Sequence, residues 1–367
     1  MTFPPGAIRP ISRTEMTRKP QAPRRRGYRP GRLLLGLALL LALLGAGHAM
    51  LWRLAAERLE QGFQRWAELR RAQGWQVTHA PPQRGGWPLS ASLTLPGFRL
   101  AAPPGGLFGG LAWQAATVRL RILPADLRTL QVEARGPQRL IADSRELPFV
   151  ADRLSAALPL AENAPPDSAR IMAHQLRLGP PAGAVTVTEA EATLNGGSPA
   201  EGDASLTLAL TLNGVTLPWA LPLGRQVEAA SLEMALMGAL PGGQAPTRRA
   251  AAWRDAGGTL ELRALTLHWG EVAASAAATL ALDAALQPTG AGTLRVAGAA
   301  QGLEALSEAG LLPARTASLG RSLVPLMARP DPAGGPPQIE VPLTLEDRTL
   351  AAARIPLLRL PTIDWAR

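Results

Sequence analysis

The stretch GWQVTHAPPQRGGWPLSASLTLPGFRL, residues 74–100, alternates apolar and polar side chains in its second half. In LSASLTL the apolar side chains are Leu89, Ala91, Leu93 and Leu95. A period of two places them on one face of a β-strand, and a sheet with one apolar and one polar face is typical of antiparallel pairing. This segment therefore predicts a strand with one face packed against another part of the protein and the other face exposed to solvent.

The same alternation recurs along most of the chain. Its further apolar positions are Ala116, Val118, Leu120 and Ile122; Leu130, Val132 and Ala134; Leu206, Leu208, Leu210 and Leu212; Leu232, Met234 and Leu236; and Leu260, Leu262, Leu265 and Leu267. Turns that contain PGG, NGG or LNG separate such segments and are typical of hairpins. We therefore predict a mainly β protein of the α+β class, with a long twisted antiparallel sheet that carries an apolar face.

Helical patterns flank and interrupt these strands. Residues 53–74 place Leu59, Phe63 and Trp66 at helical spacing, which predicts an amphipathic helix that packs on the sheet or lies on a membrane surface. Residues 302–329 predict a C-terminal helical region, which is broken near Pro313. The residues around 151–161 fit a helix or a strand, and the chain after residue 329 returns to strands.

An uncharged apolar segment precedes the first of these helices. Residues 33–52, LLLGLALLLALLGAGHAMLW, are long enough to cross a hydrocarbon core of about 30 Å at about 1.5 Å per residue. Trp52 closes the segment, at a place where an interfacial tryptophan is favoured. The predicted membrane anchor comprises Leu33, Leu34, Leu35, Leu37, Leu39, Leu40, Leu41, Leu43, Leu44 and Trp52.

The charge distribution predicts how the chain is placed in the membrane. Nine of the 38 basic residues lie within residues 1–32, and the rest of the chain carries 29 basic and 27 acidic residues. We expect residues 1–32 to be a disordered cytoplasmic tail and residues 33–52 to be a single-pass inner-membrane anchor. Residues 75–367 then form a periplasmic β-rich domain. A signal peptide cleaved after Ala49 is the alternative, and it exports the same body.

The composition also limits which partners and which kinds of active site the chain is expected to have. A nearly neutral body predicts no nucleic-acid partner. The chain has no cysteine and only four histidines, and it lacks the HExxH, GxSxG and SxxK patterns. We therefore predict no catalytic residue, no metal site and no cofactor. A site assembled from distant residues, such as Glu261 with Asp283 or the three histidines His79, His174 and His268, is the alternative.

The residues that follow the predicted amphipathic helix resemble a bacterial family. The run RAQGWQVTHAPPQRGGWPLSASLTLPGFRL contains the turn Gly86, Trp87, Pro88 and Leu89, and it is similar to alphaproteobacterial envelope proteins grouped as domain-of-unknown-function family 2125. That family has a Gly-Phe-Pro-Phe-like turn here, so both aromatic positions differ in this chain. The segments LTLHWGEVAASAAATLALDAALQPTGAGTLRVAGA and LTLEDRTLAAARIPLLRLPTI are also similar to it.

More distantly, the chain resembles AsmA-like envelope proteins, whose elongated sheets carry an apolar groove and are linked to lipid movement. Neither resemblance implies a catalytic residue. We expect a non-enzymatic binding or scaffold element of the cell envelope, with a lipid-binding apolar groove. Its expected partners are inner-membrane lipid and other envelope proteins. The alternative is an envelope hydrolase or glycan-modifying enzyme with a dispersed active site.

Overall fold

The structure is a computed structural model that describes most of the chain. The described residues are 30–103, 110–123, 126–142, 145–160, 167–196, 204–239, 245–310, 312–330 and 336–365, without the side chains of 30–33, 316 and 323. Residues 50–367 form one compact unit and the residues before Met50 form another. Of the predicted tail, residues 1–29 lie outside the described residues, and residues 30–32 begin the first helix.

The described residues form four α-helices, a short 3₁₀ helix (Pro181–Gly183) and a sheet of seventeen strands. The helices are α1 (Pro30–Ala72), α2 (Pro246–Asp255), α3 (Ala299–Glu308) and α4 (Ala314–Met327). The strands are β1 (Gln76–Thr78), β2 (Gln83–Gly85), β3 (Ala91–Ala101), β4 (Ala112–Leu123), β5 (Asp126–Ala142), β6 (Arg145–Val150), β7 (Arg153–Pro159), β8 (Ser168–Leu178), β9 (Val185–Gly196), β10 (Ala204–Thr216), β11 (Gln226–Met237), β12 (Thr259–Trp269), β13 (Val272–Leu282), β14 (Pro288–Ala297), β15 (Gln338–Glu346), β16 (Thr349–Ala352) and β17 (Ile355–Arg359).

The strands pair antiparallel, and most of them pair with their neighbours in sequence. From β8 to β17 each strand pairs with the next one. Two strands, β6 and β7, lie one after the other along β5. The strand β6 pairs with the C-terminal part of β5, and β7 pairs with its N-terminal part. At the other end, β1 and β2 both pair with β3. The prediction of a mainly β protein with one long antiparallel sheet is confirmed, and residues 153–159 form a strand.

The helix α1 joins two segments that the sequence pattern treats separately. It continues without a break through the predicted amphipathic region and ends at Ala72, two residues before Gly74. Leu59, Phe63 and Ala67, at four-residue spacing, are buried in one hydrophobic cluster with residues of β3, β4 and β5. The apolar stripe therefore packs on the sheet, which decides between the two interpretations of this helix.

Two predicted apolar positions do not lie on the apolar face. Leu89 lies in the turn before β3 and is 79% exposed. Ala116 is also exposed, because β5 has an extra residue opposite it, at Gly136 with φ +76°. This bulge shifts the alternation by one residue, so Ala115 is buried in place of Ala116.

The helical predictions near the C-terminus are confirmed, and one helix was missed. The helices α3 and α4 are separated at Pro313, as the sequence predicts. The missed helix is α2, whose ten residues PTRRAAAWRD bury only Ala250 and Trp253. Its proline at the first helical position, Pro246, was the available signal for a helix start.

Candidate functional site

One face of the sheet is apolar across twelve strand positions. Directly opposed residues of paired antiparallel strands lie on the same face. A central row on this face, which we call the apolar row, consists of Leu93, Leu120, Val132, Ala156, Ile171, Ala192, Leu210, Leu232, Leu265, Ala276, Leu294 and Val341. At about 4.8 Å between strands, the row extends for about 50 Å.

The opposite face carries polar pairs. Arg295 of β14 lies 3.1 Å from Glu340 of β15, between Nε and Oε2. The Ser231 and Thr266 hydroxyls of β11 and β12 are 2.7 Å apart. His174 Nδ1 of β8 lies 3.8 Å from a carboxylate oxygen of β9. The two ion pairs are exposed and each adds little stability, and the hydroxyl pair is partly buried, so polar side chains on this face reach solvent at these positions.

The apolar face is covered unevenly. Beneath α1, Leu93 is 0% exposed, whereas Ile171, Leu194 and Leu265 farther along the sheet are 41%, 39% and 41% exposed. Leu345 of β15 is buried again, beyond this exposed region of the sheet. Among the described residues, the uncovered part of the apolar face therefore lies around β8 to β12.

A groove of about 230 Å³ opens on the apolar face and extends from β5 to β10, so it overlaps the uncovered part at β8 to β10. Its lining contains one charged residue, Glu191, whose carboxylate lies 3.4 Å from Arg170 Nε. Leu154 lines the groove and also packs against the cluster under α1, so the groove begins where the cover of the helix ends. The lining residues are Leu140, Leu147, Phe149, Leu154, Ile171, Ala173, Leu176, Leu178, Ala190, Glu191, Ala192 and Leu210.

A second depression is larger, at about 680 Å³, and lies between β10 and β11. Its two charged side chains already have partners within the chain. Arg225 donates to the backbone carbonyls of Leu217 and Pro218, and Glu228 accepts from the backbone N–H of Gly270. These contacts close a loop, so we regard the depression as structural and the apolar groove as the candidate site.

The structure does not bring the sequence-derived catalytic candidates together. His79 follows β1 and packs its ring against Phe63, whereas His174 and His268 lie on β8 and β12, four strand positions apart. Four spacings correspond to about 19 Å. The described residues contain no cluster of three or more potential metal ligands.

The two carboxylates named with these histidines are also held apart. Glu261 lies opposite Thr279 of β13 and accepts a hydrogen bond from Arg263. Asp283 lies four residues beyond Thr279, which is about 13 Å along a strand, and accepts the backbone N–H of Gln287. Each carboxylate is therefore held by its own local partner.

The turn Gly86–Leu89 lies against α1. Arg84, just before the turn, binds Glu60 at 2.6 Å and Glu57 at 3.4 Å, and the hydrogen bond from Glu60 raises the pKa of the Arg84 guanidinium. Trp52 Nε1 donates to the backbone carbonyl of Ser90 at 2.8 Å. Helix and turn are thus joined by an ionic contact and an indole hydrogen bond.

The apolar segment of α1 has the length and composition of a membrane span. The candidate span begins at Leu34 and has a mean hydropathy of 2.2 over its most apolar window. Its leucines are exposed, as expected for side chains that meet lipid, and a signal sequence has the same character. Of the predicted anchor residues, the side chain of Leu33 lies outside the described residues.

A known protein family matches most of the chain. A family model described as "Uncharacterized protein conserved in bacteria (DUF2125)" matches residues 52–361. The chain belongs to the DUF2125 family. In this DUF2125 protein the matched region begins at Trp52 and includes the turn at Gly86 and every strand that lines the groove. No curated protein and no solved structure matches the chain. The resemblance to AsmA-like proteins stays a prediction.

Proposed function

We propose that this DUF2125 protein is a membrane-anchored binding element of the cell envelope, and that the uncovered apolar face of its sheet holds the acyl chain of a lipid. The observation that carries the proposal is the apolar row itself, which continues through β8 to β12 where no helix of the described chain covers it. Large exposed apolar surfaces on folded proteins mark interaction sites.

The dimensions of the groove fit an acyl chain. Half of a hydrocarbon core of about 30 Å is about 15 Å, which corresponds to about three strand spacings. The groove crosses the sheet from β5 to β10 at a volume of about 230 Å³, below the range of about 300–1,000 Å³ typical of pockets for compact ligands. An extended apolar chain suits such a shallow groove better than a compact polar molecule does.

The chemistry of the lining supports the same ligand class. A polar ligand needs directed hydrogen bonds, and the only charged residue of the lining, Glu191, lies opposite Met172 on the polar face, where its carboxylate pairs with Arg170. The remaining lining residues offer aliphatic and aromatic surface. Burial of such surface contributes about 25 cal/mol per Å², so affinity would come from contact area along the chain.

We place the body on the periplasmic side of the inner membrane. The support is the basic segment before residue 33, which by the positive-inside rule stays in the cytoplasm, followed by one apolar helix. The tether would keep the sheet close to its source of lipid, which raises the effective concentration of lipid at the groove.

Neighbouring residues of β9 offer a test of both the ligand and the placement. Leu194 points to the apolar face and Asn195 to the polar face, and the chain has no native cysteine. With a membrane-impermeant maleimide added to spheroplasts, we expect the Asn195→Cys variant to be labelled. The Leu194→Cys variant should be protected by bound lipid until the purified protein is stripped of lipid.

Two outcomes would contradict the proposal separately. Equal labelling of both variants before lipid removal would contradict the lipid-covered face, since Leu194 is itself accessible in the uncovered structure. Labelling of the Asn195→Cys variant only after lysis would contradict the periplasmic placement.

A further inference from the structure

The turn between β2 and β3 presents apolar side chains at its outer surface. Trp87 is 51% exposed and Leu89 is 79% exposed, and Pro88 between them is also exposed. Single exposed apolar residues are common on protein surfaces, but three consecutive ones that include a tryptophan form a patch. Such a patch needs an explanation in terms of what it contacts.

The turn is fixed in place by its own backbone. The backbone N–H of Ser90 donates to the carbonyl of Gly86 at 2.9 Å, and Ser90 is buried. Gly86 has φ +92°, and a Cβ at this position would lie 2.5 Å from the Ser90 carbonyl oxygen, so only glycine fits. The apolar side chains are therefore held outward on a defined loop.

Trp52 links this turn to the end of the apolar helix segment. Its indole N–H donates to the Ser90 carbonyl, and its ring meets the Trp87 ring edge to face at a centroid distance of 5.9 Å. Met50 and Leu51, which complete the apolar run in the sequence, are strongly exposed. Tryptophans concentrate at the boundary between hydrocarbon and water, so two adjacent tryptophans here mark that depth.

The charges around the turn suit a lipid headgroup region. The two acids of α1 closest to the turn, Glu57 and Glu60, are paired with Arg84. Arg53 and Arg58 on the same stretch of helix are exposed. The three arginines outnumber the two glutamates by one, so the net charge of this group of side chains is positive and attracts lipid phosphates.

We propose that the turn Gly86–Ser90 is a second membrane contact, in which Trp87 and Leu89 enter the interfacial layer of the bilayer that holds the apolar segment of α1. This inference rests on the proposed membrane anchor. Because α1 alone would leave the body free to tilt about a single helix, the second contact fixes the orientation of the body relative to the membrane surface.

The absence of native cysteine permits a direct depth measurement on the full chain. An environment-sensitive fluorophore is attached to the Leu89→Cys variant in vesicles of phosphatidylethanolamine and phosphatidylglycerol. The matched control is the Trp219→Cys variant, since Trp219 is 55% exposed in the loop between β10 and β11. We expect spin-labelled phospholipid to quench the probe at position 89 several-fold more than at position 219, and aqueous iodide to show the reverse order.

The possible failures are distinguishable. If the labelled chain floats with the vesicles and both positions respond equally to the two quenchers, the turn is not a membrane contact and the inference is overturned while the anchor stands. If the full chain does not float with the vesicles, the anchor itself is wrong, and the second contact is overturned with it.

Discussion

Replacement of Leu95 by alanine should lower the free energy of unfolding by about 2–5 kcal/mol. Leu95 is fully buried, lies opposite Val118 of β4 and belongs to the cluster between α1 and the sheet. The substitution removes apolar contacts and leaves a cavity. The surrounding backbone cannot move in to fill it, because β3 and β4 are held in register by their pairing. Urea unfolding of the full chain in non-denaturing detergent measures the loss.

The matched control comes from the same segment. Leu89 belongs to the same alternation in the sequence but is exposed in the turn, so the Leu89→Ala variant should change the free energy of unfolding by no more than about 0.5 kcal/mol. Equal losses in the two variants would contradict the packing of α1 on β3.

Replacement of Ile171 by glutamate should reduce lipid binding by about tenfold or more. Ile171 lies on the apolar row and lines the groove between Ala156 and Ala192. A carboxylate at this position must either give up its hydrating water when lipid binds or keep the acyl chain away from the groove. A loss of about 1.4 kcal/mol in the free energy of binding already corresponds to a tenfold loss of affinity. The yield of cross-linking from a photoreactive acyl chain to β8 and β9 measures the effect.

The next residue supplies the control. Met172 has almost the same exposure, 42% against 41%, but lies on the opposite face, beside Glu191 of β9. The Met172→Glu variant should retain the cross-linking yield within about twofold, since its new charge stays in water. In both variants, cross-links to residues 34–52 serve as an internal reference. If the two variants lost the same fraction of cross-linking, the ligand would not distinguish the faces of the sheet.

Most of the sheet could be predicted from the sequence, because period-two alternation is a local signal. The segment TLELRALTLHW coincides with β12, from Thr259 to Trp269. The errors at Leu89 and Ala116 arose where the backbone interrupts the alternation, at the turn before β3 and at the bulge opposite Gly136. A bulge depends on the pairing of two strands, so one strand's pattern cannot reveal it.

The location of the groove could not be predicted in the same way. Each strand carries a similar apolar pattern, and only the packing of α1 shows that Leu93 is covered while Ile171 is not. This packing joins residues far apart in the sequence. The distribution of the histidines likewise depends on the strand order, which places His174 and His268 on separate strands.

The central claim is that an acyl chain lies on the uncovered apolar face of the sheet. The most direct test is to place the full chain in lipid nanodiscs that contain a phospholipid with a photoreactive group on its acyl chain, and to locate the adducts by peptide mass spectrometry. We predict adducts at apolar-face residues of β8 to β12, such as Ile171, Leu194 and Leu265, in addition to residues 34–52. Adducts confined to residues 34–52, or equally frequent at the polar-face residues Glu189 and Thr211, would contradict it.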